Sequence, residues 1–204
     1  TRAAQWMSEK DNSPYIIQKL RQNSAYSDYA PVLYNDQLVF TSDRKNLINE
    51  EVYKWTGNSF SDLYLSDNLL SDEVYPFDPA INSPDNDGTA TFNSDFSEVI
   101  FTRCKSEIDD DYCKLMVSTK RGSSWTEPRK LDFVIDRINY GHPSLHQGDS
   151  ILFFTAQMET GFGGYDIFYT IRTEAGWIEP LVLSDQINTL GNEKFPFIYE
   201  DTLY

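Results

Sequence analysis

An all-β chain of repeated four-stranded units is what this sequence predicts, and three observations carry the prediction. Aromatic residues make up 15% of the 204 residues, with 13 Tyr and 13 Phe against 3 Met, a bias that suits strands rather than helices. Apolar runs such as SEVIFT and DIFYTI are short, β-branched or aromatic, and broken every few positions by turn residues. Above all, the chain repeats itself. APVLYNDQLVFTSDR from Ala30, TATFNSDFSEVIFTR from Thr89, HPSLHQGDSILFFTA from His142 and FPFIYEDTLY from Phe195 share one plan of apolar strand, polar turn and apolar strand. A period near about 50 residues with four short antiparallel strands per unit describes the blade of a β-propeller.

Taken in order, residues 1–25 stand apart. AAQWMSEKD suits the end of a helix, and YIIQKLRQNS reads as the outer strand of a blade followed by an exit turn. This segment is expected to be a linker, or the end of a preceding helical-repeat region, together with a strand that closes the ring by completing its last blade. Closure removes exposed sheet edges and apolar faces. Blades are then expected near 26–83, 84–139 and 140–190, with 191–204 opening a fourth. Pro31, Ala90, Pro143 and Pro196 correspond, at separations of 59, 53 and 53 residues, and Val39, Ile100, Phe153 and Tyr204 at 61, 53 and 51. Inner strands should begin near Ala30, Thr89, His142 and Phe195.

The second half of each unit recurs as well. Asp62-Leu63-Tyr64, Cys113-Lys114-Leu115 and Asp166-Ile167-Phe168 lie 51 and 53 residues apart, which puts Cys113 where the other units carry Asp. Trp125-Thr126-Glu127-Pro128 returns as Trp177-Ile178-Glu179-Pro180, 52 residues on, whereas the first unit has Val74-Tyr75-Pro76 there. Ile81-Asn82-Ser83 and Ile187-Asn188-Thr189 mark exits into the next unit. Between Thr41 and Asp62 the first unit carries ten residues more than the third carries between Thr155 and Asp166. That insertion, near 43–60, must form a long loop, and long loops on rigid scaffolds are frequently functional. Trp55 and Phe60 are its candidate partner-binding residues, against the alternative that the loop packs on a neighbouring blade. Three and a half blades do not close a ring, so the chain reads as a portion of a longer propeller with an open blade edge after Tyr204.

Charge narrows the partners. The 17 Lys+Arg against 32 Asp+Glu give a formal net charge of −15, and nucleic acid and anionic lipid surfaces are bound through Lys and Arg. Basic peptides, cations and neutral glycans fit better. The sequence has no apolar run of about 18 residues, the length that crosses a bilayer, and no signal peptide is visible.

The run GFGGYDIFYTIRTEAGWIEPLVLSDQINTLGNEKFPFIYEDTLY, from Gly161 to Tyr204, resembles the PD40 (WD40-like) propeller repeat, with its Gly-Gly-Tyr-Asp-Ile core, Gly-x-Trp-x-Glu-Pro turn, Ile-Asn-Thr exit and Phe-Pro opening. YSDYAPVLYNDQLVFTSDR from Tyr26, the KWTGNSFSDLY insertion and YGHPSL from Tyr140 are similar to the propellers of OmpA-family periplasmic proteins of Bacteroidota, including the outer-membrane-associated lipoproteins of the type IX secretion system. The resemblance spans nearly all of residues 20–204. It implies a periplasmic, outer-membrane-associated scaffold rather than an enzyme. Its expected partners are other envelope or secretion-system proteins, with peptidoglycan gripped by a domain outside this chain.

Candidate chemistry is sparse, and no catalytic residue is assigned. His142 and His146 have a spacing that would suit a metal on a helix, but Pro143 and the repeat put them in a strand and its turn. Ser118-Thr119-Lys120-Arg121-Gly122-Ser123-Ser124-Trp125 resembles the Asp-box of sialidases with Lys120 in place of the Asp, and that box is a structural turn. A sialidase-like glycan-processing enzyme is therefore the first alternative, which a convergent Arg, Tyr and Glu cluster would favour. The second is a small-ligand or peptide sensor, which a deep polar pocket beside Asp87 and Glu193 would favour. Glu107-Ile108-Asp109-Asp110-Asp111 is a concentrated acidic loop. It is a candidate for Ca²⁺, which takes several oxygen ligands, although a solvated turn is the ordinary role of such a run. No cofactor is otherwise expected.

Asp28, Asp87 and Glu193 recur ahead of the inner strands. They are candidate channel-mouth binding residues or, equally, acceptors for turn amides. Cys104 and Cys113 stand at the two feet of one hairpin. Facing strands come within disulfide range, and such a bond persists in an oxidising compartment. The pairing, against the alternative of two independent thiols held diagonally out of reach, is expected to pin the acidic loop between them.

Overall fold

The computed structural model describes residues 18–45, 52–54, 56–105 and 112–204, and these contain sixteen β-strands and no helix. The strands fall into three antiparallel sheets and a terminal hairpin. Sheet 1 runs β1 (Asp28–Tyr34), β2 (Gln37–Ser42), β3 (Asp62–Ser66) and β4 (Tyr75–Pro76). Sheet 2 runs β5 (Asn86–Phe92), β6 (Glu98–Cys104), β7 (Cys113–Arg121) and β8 (Ser124–Trp125), with β9 (Arg129–Lys130) also on β7. Sheet 3 repeats that arrangement with β10 (Tyr140–Leu145), β11 (Ile151–Ala156), β12 (Asp166–Thr173), β13 (Gly176–Trp177) and β14 (Leu181–Val182). β15 (Ile198–Tyr199) and β16 (Thr202–Leu203) form the hairpin.

The Trp-x-Glu-Pro signature has a visible job. In sheets 2 and 3 the third strand is long and pairs twice, once with a short return carrying Trp125 or Trp177 and once, beyond the Pro, with β9 or β14. Pro lacks the N–H that a continuous ladder needs, so the outer strand is split in two there. Sheet 1 lacks the signature, and its outer strand is only Tyr75–Pro76 on Leu65 and Tyr64.

The register corrects one sequence alignment. Phe40, Phe101 and Phe154 face Tyr64, Met116 and Phe168, while Thr41, Thr102 and Thr155 face Leu63, Leu115 and Ile167. The residue matching Asp62 and Asp166 is therefore Lys114, and Cys113 matches Ser61 and Tyr165. The unequal loops ahead of the third strands hid the one-residue offset, which in a strand reverses the face. Asn86, Asn139 and Asn192 reinforce this frame. Their side-chain oxygens accept the amides of Ser61, Cys113 and Tyr165 at 3.0, 2.9 and 3.0 Å.

The sheets pack in chain order with sheet 2 in the middle. Alternation along β6 sends Val99 and Phe101 toward Tyr34, Val39 and Leu63 of sheet 1, and Ile100 toward Tyr140, Leu152 and Phe154 of sheet 3. β5 packs on β1, β2 and β3, and β10 packs on β5, β6 and β7. First strands thus meet at each joint. Gly88 is required there, because a Cβ on it would lie 2.7 Å from Thr41 Cγ2.

Two sequence expectations fall on undescribed residues. The strand expected in residues 15–20 lies mostly outside them, and Gln18–Leu20 carries no regular structure. In the insertion, Trp55 also lies outside. Val52 bridges Ser59, and Tyr53 packs on Phe60 with ring centroids 5.2 Å apart, so Phe60 is half-buried within its own small loop.

Candidate functional site

The four segments that begin the repeat units share one backbone irregularity. Ala30, Thr89, His142 and Phe195 all have left-handed φ, at 49°, 48°, 52° and 59°. In three of them the strand register shifts just there, between Tyr29 and Val32, Gly88 and Thr91, and Gly141 and Ser144. These are bulges, which re-aim side chains and bend a strand. Left-handed φ is uncommon for any residue but Gly, and for the β-branched Thr89 it is an outlier. Each such residue stores on the order of 1–3 kcal/mol, held by its surroundings.

Those surroundings are hydroxyl bonds between sheets. Thr41 Oγ1 accepts the Thr89 amide at 2.9 Å, and Thr102 Oγ1 accepts the His142 amide at 3.1 Å. One step further along the strands, Thr91 Oγ1 accepts the Leu145 amide and Ser144 Oγ accepts the Ile198 amide, at 3.1 and 3.0 Å. The hydroxyls of Thr89 and Thr102 are themselves 2.7 Å apart. The segments 30–32, 89–91, 142–144 and 195–197 together line a cavity of about 370 Å³. Its walls are chiefly proline, alanine, valine and phenylalanine.

His142 is the one imidazole in that cavity. Its Nδ1 lies 2.9 Å from Thr155 Oγ1, and its ring lies on Phe195 with centroids 3.8 Å apart. Burial, helped by the charge of Lys194, pushes its pKa down to about 4, so the ring is neutral near pH 7. Lys194 itself sits over the Tyr165 ring at 3.9 Å. His146 does not join His142. It accepts the Gly148 amide in the hairpin turn, with Asp201 3.7 Å from its Nε2. Among the described residues no group of three His, Cys, Asp or Glu side chains is arranged to hold a metal. The acidic run Glu107–Asp111 lies outside them.

The recurring carboxylates serve turns. Asp28 accepts from the amide and hydroxyl of Ser24, Asp87 from those of Ser83, and Glu193 from those of Thr189, each four residues back. Two arginines that the sequence reading passed over complete the first two. Arg103 bridges Asp87 at 2.6 Å and the Ile81 carbonyl at 2.7 Å. Arg44 bridges Asp28 at 2.7 Å and the Gln22 carbonyl at 2.9 Å. Their positions are two residues out of step in the repeat, Arg44 three residues beyond Thr41 and Arg103 one beyond Thr102, which conceals the shared role. Burial raises the Asp87 pKa against the pull of Arg103 and Ser83. Burial also acts on Asp28, but donors from Ser24, Ser42 and Arg44 outweigh it and hold that carboxyl below its usual value. At solvent-facing Glu193, bonds from Thr189 lower the pKa.

Cys104 and Cys113 face each other in the register and are joined by a disulfide. Lys120, which stands in for the Asp of the sialidase-like turn, donates to the Tyr34 hydroxyl and lies over the Tyr34 and Trp125 rings at 5.2 and 5.8 Å. It belongs to the joint between sheets 1 and 2. What the arrangement offers chemically is an apolar chamber with a neutral imidazole. The strong acids and bases around it are engaged with one another or with turns. No protein-family model matches the chain, and no curated protein matches it.

Proposed function

We propose that the three sheets are blades of a PD40-type β-propeller portion, and that the module is a non-catalytic scaffold. In this reading it holds protein partners of an outer-membrane-associated envelope complex, of the type IX secretion kind, in the periplasm. A domain outside these residues would grip peptidoglycan. The observation that carries the reading is how the polar groups at the converging first strands are used. Thr41, Thr102, Thr91 and Ser144 each accept an amide of the next unit. Hydroxyls bound in this way build a rigid repetitive platform, which is what a binding scaffold requires. The disulfide supports an oxidising compartment, where such bonds persist.

Two measurements test this. Affinity purification of the full-length protein from its own envelope should recover the same partner proteins reproducibly, and the purified protein should leave sialosides, peptides and peptidoglycan intact. Turnover of any of these that disappears on changing one cavity residue overturns the scaffold reading. Two titratable thiols per chain in freshly isolated, denatured, unreduced protein overturn the compartment.

A further inference from the structure

The cavity between the first strands has a chemistry of its own, and the hydrogen bonds on its far side shape it. The one proton of Thr155 Oγ1 has two acceptors in reach, the Gly141 carbonyl at 3.1 Å and His142 Nδ1 at 2.9 Å. When it goes to the carbonyl, the hydroxyl accepts from Nδ1–H and Nε2 is a bare lone pair, and a ligand donor on Nε2 selects that tautomer. Nε2 has no hydrogen-bond partner among the described residues. The same orientation lays the ring against Phe195. The remaining wall is the rings of Phe197, Pro31, Pro143 and Pro196 with the methyls of Val32. Thr91 and Ser144 are engaged in accepting strand amides. Nearby charges are paired, Arg103 with Asp87 and Arg44 with Asp28, and Lys194 disfavours a cation.

A site of this kind asks for a flat, apolar, uncharged body with one hydrogen-bond donor. Pockets of roughly 300–1,000 Å³ with apolar walls and few polar points are the usual form of a ligand site, and about 370 Å³ admits one fused ring. Rings stack on rings and on proline faces, and a donor-bearing ring satisfies the lone acceptor. We propose that this cavity binds a neutral aromatic ring carrying a single N–H or O–H donor, of the indole or phenol type, with the donor on His142 Nε2. The ring comes either from a free small molecule or from a Trp or Tyr side chain of a partner protein. The inference rests on the binding reading above and assigns the chemistry of one of its sites.

Titration calorimetry of the full-length protein tests it with indole against 1-methylindole, which keeps the ring and loses the donor. Indole should bind at least about tenfold more tightly, since an unpaired acceptor costs about 1–3 kcal/mol. The preference should vanish in His142→Phe, which keeps a ring on Phe195 but offers no acceptor. Ala30→Phe should abolish binding of both by filling the chamber. The matching position in the last unit already carries Phe195 in the same left-handed conformation, so that substitution is compatible with the backbone. Equal affinity for the two indoles, or binding of neither, overturns the proposal without recourse to any variant. A Trp-bearing peptide that binds more than tenfold tighter than N-acetyltryptophanamide identifies a protein as the source of the ring, and equal affinity identifies a free molecule. Envelope partners that co-purify with wild-type protein unable to bind indole remove this site and leave the scaffold standing. Indole binding with no co-purifying partner does the reverse.

Discussion

Sheets 1 and 2 follow the same plan and close the end of their middle hairpin in different ways. Cys104 in sheet 2 and Asp43 in sheet 1 occupy the same place in the repeat. Cys104 is tied covalently across to Cys113. Asp43 instead accepts from the amide and hydroxyl of Ser27 and from Asn58 of the insertion, at 2.7, 3.1 and 2.9 Å. The adjoining ion pairs differ too. Arg44 also donates through Nε to Ser42 and lies over the Phe40 and Tyr64 rings, about 5 Å from each centroid. Among the described residues Arg103 has Asp87, one carbonyl and the Phe101 ring. One frame thus admits either a few strong, exclusive bonds or many shared ones, and the two should fail differently.

The largest difference is expected at the carboxylates. Asp87→Asn leaves Arg103 buried without its counter-charge and should cost about 3–5 kcal/mol. Asp28→Asn should cost less than half as much, because Arg44 retains Ser42, Gln22 and two aromatic faces. Urea midpoints at constant slope compare them directly, and equal losses would erase the distinction between exclusive and shared bonding.

Proton linkage gives the next effect, at the position where sheet 3 carries His142 and sheet 2 carries Thr89. The folded His142 has a pKa near 4 against an ordinary 6.5. Between these values the unfolded chain takes up a proton that the folded one refuses, so stability should fall as pH drops from about 6.5 toward 4. The loss is at most about 3 kcal/mol. In His142→Phe the same pH interval should be flatter in denaturant melts, and an unchanged slope would assign the effect elsewhere.

Removing the disulfide by a Cys104→Ser, Cys113→Ser double change should cost less than about 3 kcal/mol, because the closed loop is short. Asp43→Ala in sheet 1 provides the non-covalent counterpart, with about 1–2 kcal/mol expected from the orphaned donors. Effects as small as that of Asp43→Ala belong to the joints. Thr41→Val and Thr102→Val each remove the acceptor for one left-handed amide and should cost about 1–2 kcal/mol apiece. Hydrogen exchange at Thr89 or His142 should quicken in the matching variant, and unaltered protection at both amides would show that the bulges need no hydroxyl.

The sequence made some of this plain and concealed the rest for definable reasons. The inner strands were visible because Pro31, Pro143 and Pro196 mark the same step, and β1, β5 and β10 open within a few residues of the expected points. The recurrence of Trp125-Thr126-Glu127-Pro128 at Trp177 is plain in the sequence, whereas the splitting of the outer strand at its proline shows only in the strand pairing. Three features were illegible. Ala, Thr and Phe carry no left-handed preference, so nothing local announces the conformation at Ala30, Thr89 and Phe195, and at Thr89 and His142 a hydroxyl of the preceding sheet holds the amide. Arg44 and Arg103 do the same work from different offsets. Lys114 took the place assigned to Cys113 because hairpin length varies while strand pairing does not. One signal stood in the open unread. Asn86, Asn139 and Asn192 recur at 53-residue intervals, and each, at or just before the start of a new first strand, accepts the amide that precedes or opens the third strand of the sheet before it.

The hydroxyl joints make the units interchangeable. Thr41 offers Thr89 what Thr102 offers His142, and Gly88 and Gly141 sit beside those threonines in the same way. If residues 87–139 were excised, Asn86 would run into Tyr140 just as Asn139 does now, and Thr41 would meet the His142 amide in place of Thr102. A gene segment of this length can therefore be copied or lost without a new junction having to be invented. The hydroxyl seam is thus indifferent to which unit follows, whereas the aromatic packing beside it, Tyr34 with Phe92 and Trp125 at the first joint, is particular to one pair of sheets.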